Sequence, residues 1–220
     1  MSSTPGPGPA PPSKVPRVAL AFWVAKVLAT TLGETGGDAL SMTLELGYGL
    51  STLVFLGFFL ATLAVQVRSG RYHPAWYWAV VVAPTTVGTT TSDFLDRTLG
   101  LGYVASSALL LGLVVALLLA WRRATGSIAV DPITTRANEL FYWVTILVSN
   151  TLGTALGDFA ATDAGLGFER GALGFAGLIL VVALLRAFTR APGSVLFWAA
   201  YVLTRPLGAT LGTSNAWCAV

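Results

Sequence analysis

Seven apolar runs, separated by short polar connections, follow the first sixteen residues: roughly 18–38, 47–67, 75–95, 101–121, 139–159, 171–189 and 194–213. Each approaches the ~20 residues that a helix needs to cross a bilayer core. The runs alternate in character. Even-numbered ones, such as LVFLGFFLATLAV and LLLGLVVALLLAW, are uniformly apolar and read as lipid-facing helices, whereas odd-numbered ones carry Thr, Gly, Asp and Pro84 inside them. Polar side chains at that depth must face protein or a water-filled cavity.

The odd-numbered runs are copies of one another. They open on Phe22-Trp23, Tyr77-Trp78, Tyr142-Trp143 and Phe197-Trp198. Ten residues beyond each tryptophan stand Gly33, Gly88, Gly153 and Gly208; fifteen beyond stand Asp38, Asp93, Asp158 and Thr213. The tryptophans are 55, 65 and 55 residues apart, so the pattern is a duplication of a duplication with halves offset by 120. The expected fold is all-α and integral to the membrane: seven transmembrane helices from four parallel helical-hairpin repeats, the fourth hairpin incomplete. Segment 1–16 is expected to be a disordered cytoplasmic tail, because Pro and Gly dominate it and it has no apolar face. Residues 17–135 then form a first membrane half with repeats 1 and 2, and 136–220 a second with repeats 3 and 4.

Composition agrees with this picture. Of 220 residues, 55% are hydrophobic and only 10% charged, too few charges to clothe a soluble domain. One Cys and one His exclude a disulfide scaffold, a thiolate zinc site and a bis-histidine haem. The net charge of +3 does not signal nucleic acid, since the basic residues cluster between apolar runs where lipid headgroups are the partner. Lys14 and Arg17, Arg68 and Arg71, Arg122, Arg123 and Arg136, and Arg186 and Arg190 all fall on one side of the spans. That side is expected to be the cytoplasm, with the amino terminus inside, the carboxyl terminus outside and the four repeat helices running outward in parallel.

On a helix, positions eight, eleven, twelve and fifteen after each tryptophan share a face. They are Thr31, Glu34, Thr35 and Asp38; Thr86, Thr89, Thr90 and Asp93; Thr151, Thr154, Ala155 and Asp158; and Pro206, Ala209, Thr210 and Thr213. At ~1.5 Å per residue the glycines fall near the bilayer midplane and the aspartates ~22 Å in. Four such helices around one axis would gather Glu34, Asp38, Asp93 and Asp158 as hard oxygen ligands for a divalent cation or a proton. Thr31, Thr35, Thr86, Thr90, Thr151, Thr154 and Thr210 would line the pathway, with Lys26 and Arg205. The alternative is that the aspartates cap helix ends in water. Positions ten and fourteen are small in every copy: Gly33 and Gly37, Gly88 and Ser92, Gly153 and Gly157, Gly208 and Gly212. Such pairs let helix backbones approach closely in lipid.

Departures from the repeat are informative, because symmetry accounts for packing but not for a residue present once. Lys26 and Glu34 occur only in the first copy, and Arg205 only in the fourth, where the others have Thr30, Thr85 and Asn150. Arg205 needs a carboxylate from a neighbouring helix, Asp158 or Glu34. Lys26 either serves the site or snorkels to the interface. Gly36, Gly37 and Pro84 allow local breaks that would expose carbonyls to an ion.

The stretches KVLATTLGETGGDALSMTLELGYG, HPAWYWAVVVAPTTVGTTTSDFLDRTLGLGY, FYWVTILVSNTLGTALGDFAATDAGLGF and LFWAAYVLTRPLGATLG resemble a family of prokaryotic inner-membrane proteins. These are built from repeats of unknown function and described as uncharacterised membrane-anchored proteins. The resemblance runs from about residue 15 to 212 and implies a multi-spanning membrane protein with four repeats, but no activity. After RPLGATLG the family pattern continues with an aspartate and an eighth span, whereas here Thr213 is followed by SNAWCAV. The expectation is an unpaired seventh helix, a span supplied by a second copy or partner subunit, or a shortened form.

Two functions suit these features: a small carrier of cations, either a divalent metal or a proton-coupled solute, and a non-catalytic scaffold or sensor subunit that binds a partner helix or lipid. An enzyme is not expected, since no Ser/His/Asp set and no HExxH is present. A retinal protein is disfavoured because Lys26 lies in the first span rather than the last.

Overall fold

The computed structural model of the chain describes residues 16, 18–69, 73–130, 133 and 135–217, the last four of them for backbone only. The tail expected over 1–16 therefore lies outside the described residues except for Pro16, as do Lys14, Arg17 and Arg71. All regular structure among the described residues is helical: α1 (Leu20–Asp38), α2 (Tyr48–Arg68), α3 (Pro74–Asp93), α4 (Tyr103–Thr125), α5 (Arg136–Asp158), α6 (Gly167–Phe188) and α7 (Gly193–Trp217).

Local chemistry accounts for the helix ends. Pro74 opens α3 with its ring pre-set for the first turn. Thr135 caps α5 by accepting the Asn138 N–H at 3.2 Å. Gly126 closes α4 in the left-handed conformation that glycine adopts without cost. The breaks anticipated at Gly36, Gly37 and Pro84 do not occur, and α1 and α3 run through all three. The helices loosen instead one residue past each aspartate, into five-residue π turns at Ala39–Thr43, Phe94–Thr98 and Phe159–Asp163. The linkers that follow use left-handed residues at matching positions, Glu45 and Gly47, Gly100 and Gly102, Gly165 and Gly167.

By length and composition alone, four helices could cross a membrane: α2, α4, α6, and α5 with its π turn. Three of the seven expected spans, α1, α3 and α7, are not among these four, because their polar positions lower their hydropathy. Those positions are largely turned inward.

Helices α1, α3, α5 and α7 form a closed ring, each packed against its two neighbours, with α7 closing onto α1. The outer helices do not pair mainly with the ring helix that precedes them, as a simple hairpin would. Instead α2 lies on α3, α4 on α5 and α6 on α7. The corresponding face of α1, Leu20, Val24, Leu28 and Leu32, is exposed.

The glycines at position ten explain how the ring closes. A methyl group added at Gly33 would lie 1.8 Å from Thr85 Oγ1, at Gly153 2.2 Å from Arg205 Cγ, and at Gly208 2.0 Å from Thr30 Oγ1. At Gly88 it would meet the backbone of Asn150 and Thr151 at 2.8 Å. Each glycine thus receives the residue seven past the tryptophan of the next ring helix, and the contact repeats four times around the circle. Position fourteen repeats it one turn on, with Gly37 against Thr89, Gly157 against Ala209 and Gly212 against Glu34. Helices approach this closely only where one of the two carries no side chain at the crossing.

One end of the ring is closed by aromatic rings. Phe22 lies tilted against Trp78 and Phe197, with centroids 5.9 and 6.4 Å away, and Trp23 lies 5.6 Å from Phe197. The Tyr77 and Tyr142 hydroxyls meet at 2.9 Å.

Glycine substitutions should separate the two layers of the fold. Gly88→Ala meets backbone that cannot rotate away and should destabilise by about 1–3 kcal/mol. Gly112→Ala and Gly177→Ala, on outer helices with nothing within 4 Å of the added carbon, should instead gain up to about 1 kcal/mol of helix propensity. Thermal unfolding in detergent checks both signs.

Candidate functional site

Every fourth residue of a ring helix points along the ring axis, so the four copies build a stack of layers about 6 Å apart. Above the aromatic end comes Lys26 with Val81, Ile146 and Tyr201, all buried. Next come Thr30, Thr85, Asn150 and Arg205, each fully buried, and then Glu34, Thr89, Thr154 and Ala209. Asp38, Asp93, Asp158 and Thr213 form the last layer at the opposite end, where Asp93 and Asp158 are buried and Asp38 and Thr213 half-buried.

A buried ion pair lies across the middle of the stack. Arg205 Nη2 lies 2.8 Å from Glu34 Oε2, with both side chains out of solvent. The same nitrogen reaches Thr154 Oγ1 at 2.9 Å, Thr85 O at 3.1 Å and Thr89 Oγ1, while Nη1 donates to Thr30 O at 3.2 Å. Thr89 Oγ1 donates in turn to Glu34 Oε2 at 2.9 Å, and Thr154 Oγ1 lies 3.4 Å from the same oxygen. One guanidinium therefore touches all three other ring helices. Its flat fork of donors allows this, where a lysine ammonium would act as a single point charge. Of the two carboxylates anticipated for Arg205, Glu34 is the partner.

One layer towards the aromatic end, Lys26 is fully buried rather than snorkelled. Its Nζ donates to Asn150 Oδ1 at 3.4 Å and sits 4.3 Å over the Tyr201 ring. Asn150 Nδ2, Tyr201 Oη and Arg205 Nε are buried without a hydrogen-bond partner.

At the acidic end, Arg97 Nε lies 3.1 Å from Asp93 Oδ1, without the alignment of a hydrogen bond. Arg97 is held there by the Tyr48 and Tyr103 hydroxyls at 3.1 and 3.3 Å. Asp38, Asp93 and Asp158 make no capping hydrogen bond where their α-helices pass into π turns.

The predicted set divides unevenly on this geometry. Glu34, Asp38, Asp93, Asp158, Thr154, Lys26 and Arg205 stand in the axial layers. Thr31, Thr35, Thr86, Thr90, Thr151 and Thr210 instead donate to their own helix, to Val27 O, Thr31 O, Ala83 O, Thr86 O, Leu147 O and Pro206 O respectively, at 2.7–3.2 Å. Back-bonding to the preceding turn satisfies a hydroxyl without any ligand. The common cation cavity expected for Glu34, Asp38, Asp93 and Asp158 is not formed either. Among the described residues no group of three or more His, Cys, Asp or Glu could hold a metal ion. Glu34 and Asp93 are instead faced by Arg205 and Arg97. Thr30, Thr85, Thr89, Asn150 and Tyr201 belong to the axial layers as well. Their signal was the register they share with Lys26, Arg205 and Glu34, three, seven and eleven residues past the tryptophans.

The chain belongs to the family described as Repeat of Unknown Function (DUF347), whose model matches residues 21–72, 76–127 and 141–191. Each matched stretch holds one ring helix and the outer helix after it. No curated protein and no solved structure matches the chain.

The ion pair makes a thermodynamic prediction. Glu34→Gln leaves Arg205 buried and uncompensated, which should cost about 3–5 kcal/mol. Removing both charges in a Glu34→Gln/Arg205→Met variant should recover most of that loss. A double-mutant cycle on unfolding in detergent measures the coupling.

Proposed function

We propose that this chain is a small membrane carrier, with all seven helices crossing a prokaryotic inner membrane, and that it moves a proton-coupled solute along the axis of the four-helix ring. Lipid is then the surroundings of the exposed faces of α2, α4 and α6. The basic residues Arg68, Arg122, Arg123, Arg136, Arg186 and Arg190 mark the cytoplasmic side, and the aspartate layer faces outward.

The observation that carries this reading is the Glu34–Arg205 pair laid across the axis. Packing has no use for it: a buried pair is at best about neutral for stability against apolar side chains of the same size. Glu34 is also a buried carboxylate that stands one layer in from Asp38, Asp93 and Asp158. When Glu34 takes a proton it releases Arg205, and Arg205 must then find another partner or move. A charge that must be replaced whenever a proton arrives is the elementary device of proton coupling. Of the two solute classes, a divalent metal fits less well, because the deeper layers hold the cations Arg205 and Lys26. No catalytic step is assigned to these residues.

One observation favours a scaffold as the second reading. Among the described residues no outer helix covers the Leu20, Val24, Leu28 and Leu32 face of α1 as one covers α3, α5 and α7, and that face would accept a helix of a partner subunit or second copy, or lipid.

Proteoliposomes holding a pH gradient distinguish the two. Wild-type protein should dissipate the gradient, monitored by an entrapped pH-sensitive dye, and Glu34→Gln should lower the rate at least about tenfold. A folded Glu34→Gln variant with undiminished proton flux, or a wild-type protein with none under a range of inorganic salts, removes the carrier reading.

A further inference from the structure

The charges buried between the aromatic end and the aspartate layer do not balance. Among the described residues there are two cations, Lys26 and Arg205, and one anion, Glu34, which Arg205 occupies. No carboxylate pairs with Lys26 among the described residues. Its ammonium has three protons to place and meets one oxygen, Asn150 Oδ1, at 3.4 Å, together with the face of Tyr201.

The residues around it repeat the deficit. Asn150 Nδ2 and the Tyr201 hydroxyl are buried and unpartnered, and so is Arg205 Nε in the adjoining layer. Asn150 and Tyr201 both touch Lys26 directly, so their unused groups belong to one cluster. Each of these groups can donate, and what the cluster lacks is an acceptor carrying negative charge. An uncompensated ammonium and orphaned donors are costly in a water-poor interior. A stretch built only for packing would have continued the apolar residues that Val81 and Ile146 place in the same layer.

We propose that Lys26, Asn150 and Tyr201 bind a small monovalent inorganic anion of halide size. The ammonium supplies charge, and the amide and phenol supply directed hydrogen bonds. Val81 and Ile146 wall the layer with hydrocarbon, which favours a compact, weakly hydrated ion over a larger oxyanion. With the anion in place the stretch between the aromatic end and the aspartate layer holds two positive and two negative charges. This names the solute class for the proton-coupled carrier and rests on that reading only where transport is concerned. Binding stands on the cluster itself.

Bromide is a suitable probe, since it scatters X-rays anomalously. Titration of the purified full-length chain in halide-free buffer should give one saturable site per chain, and bromide-soaked crystals should carry an anomalous peak in contact with Lys26 Nζ. Lys26→Met should weaken binding about 10- to 100-fold, the contribution of a charged hydrogen bond. Asn150→Asp sets a tethered carboxylate where the anion would sit, so it should abolish bromide binding while the protein keeps its thermal stability. That variant decides the matter even if Lys26→Met does not fold. Absence of saturable bromide binding to folded wild type, unaltered binding in Asn150→Asp, or density at the site that does not scatter anomalously and is therefore water would each overturn the proposal. Bromide binding without proton-linked flux would leave this site standing and remove the carrier reading; flux without bromide binding would do the reverse.

Discussion

The ion pair between Arg205 and Glu34 is the constraint to which the rest of the ring conforms. A guanidinium and a carboxylate taken out of water gain from each other only when their remaining hydrogen-bonding capacity is also met. Here most of that capacity is met, by Thr30 O and Thr85 O from the backbone and by Thr89 and Thr154 from side chains, and Arg205 Nε alone of the guanidinium nitrogens is left without a partner. These partners come from three helices, so the pair is stable only inside a closed ring. Closure requires the helices to approach more nearly than side chains at their crossings would permit. The glycines at position ten remove that obstacle, and Gly153 in particular makes room for the stem of Arg205 itself.

Repetition and departure from repetition have different tasks in this chain. Gly33, Gly88, Gly153 and Gly208 make the same contact four times, each receiving the residue seven past the next tryptophan whether that is Thr, Asn or Arg. The axial layers therefore hold different chemistry in each copy. The layer of Lys26 contains a cation, two aliphatic groups and a phenol, and the layer of Glu34 an acid, two hydroxyls and a methyl group. The result is a scaffold close to fourfold around an interior with no symmetry. The π turns fit the same division. They lie just beyond Asp38, Asp93 and Asp158, where the chain leaves the ring and must redirect towards the outer helices.

The helices themselves were legible in the pattern of apolar runs, with ends displaced by a few residues where Thr135 or Gly126 sets the boundary. The small-residue spacing announced the close approach of the ring helices. The rotation of each helix was harder to read. Positions eight and twelve share a broad face with eleven and fifteen, and periodicity alone does not say which edge of that face looks down the axis. A threonine on the wrong edge satisfies itself on its own backbone, as Thr31 and Thr86 do, and looks the same in sequence as Thr89 or Thr154. The pairing of outer helices with the following ring helix was equally hidden, because neighbours in sequence need not be the closest neighbours in space.

What the sequence determined by itself was the repeat, its helical character, its small-residue contacts and the identity of the residues that break the symmetry. Each of these follows from local periodicity or from comparing one copy with another. The tertiary structure decided which of those residues meet. It placed Glu34, from the first copy, against Arg205, from the fourth, and left Lys26 beside Asn150 and Tyr201 without an acid. Partners so far apart along the chain are chosen by the closure of the ring, a property of all four helices together and of no single stretch.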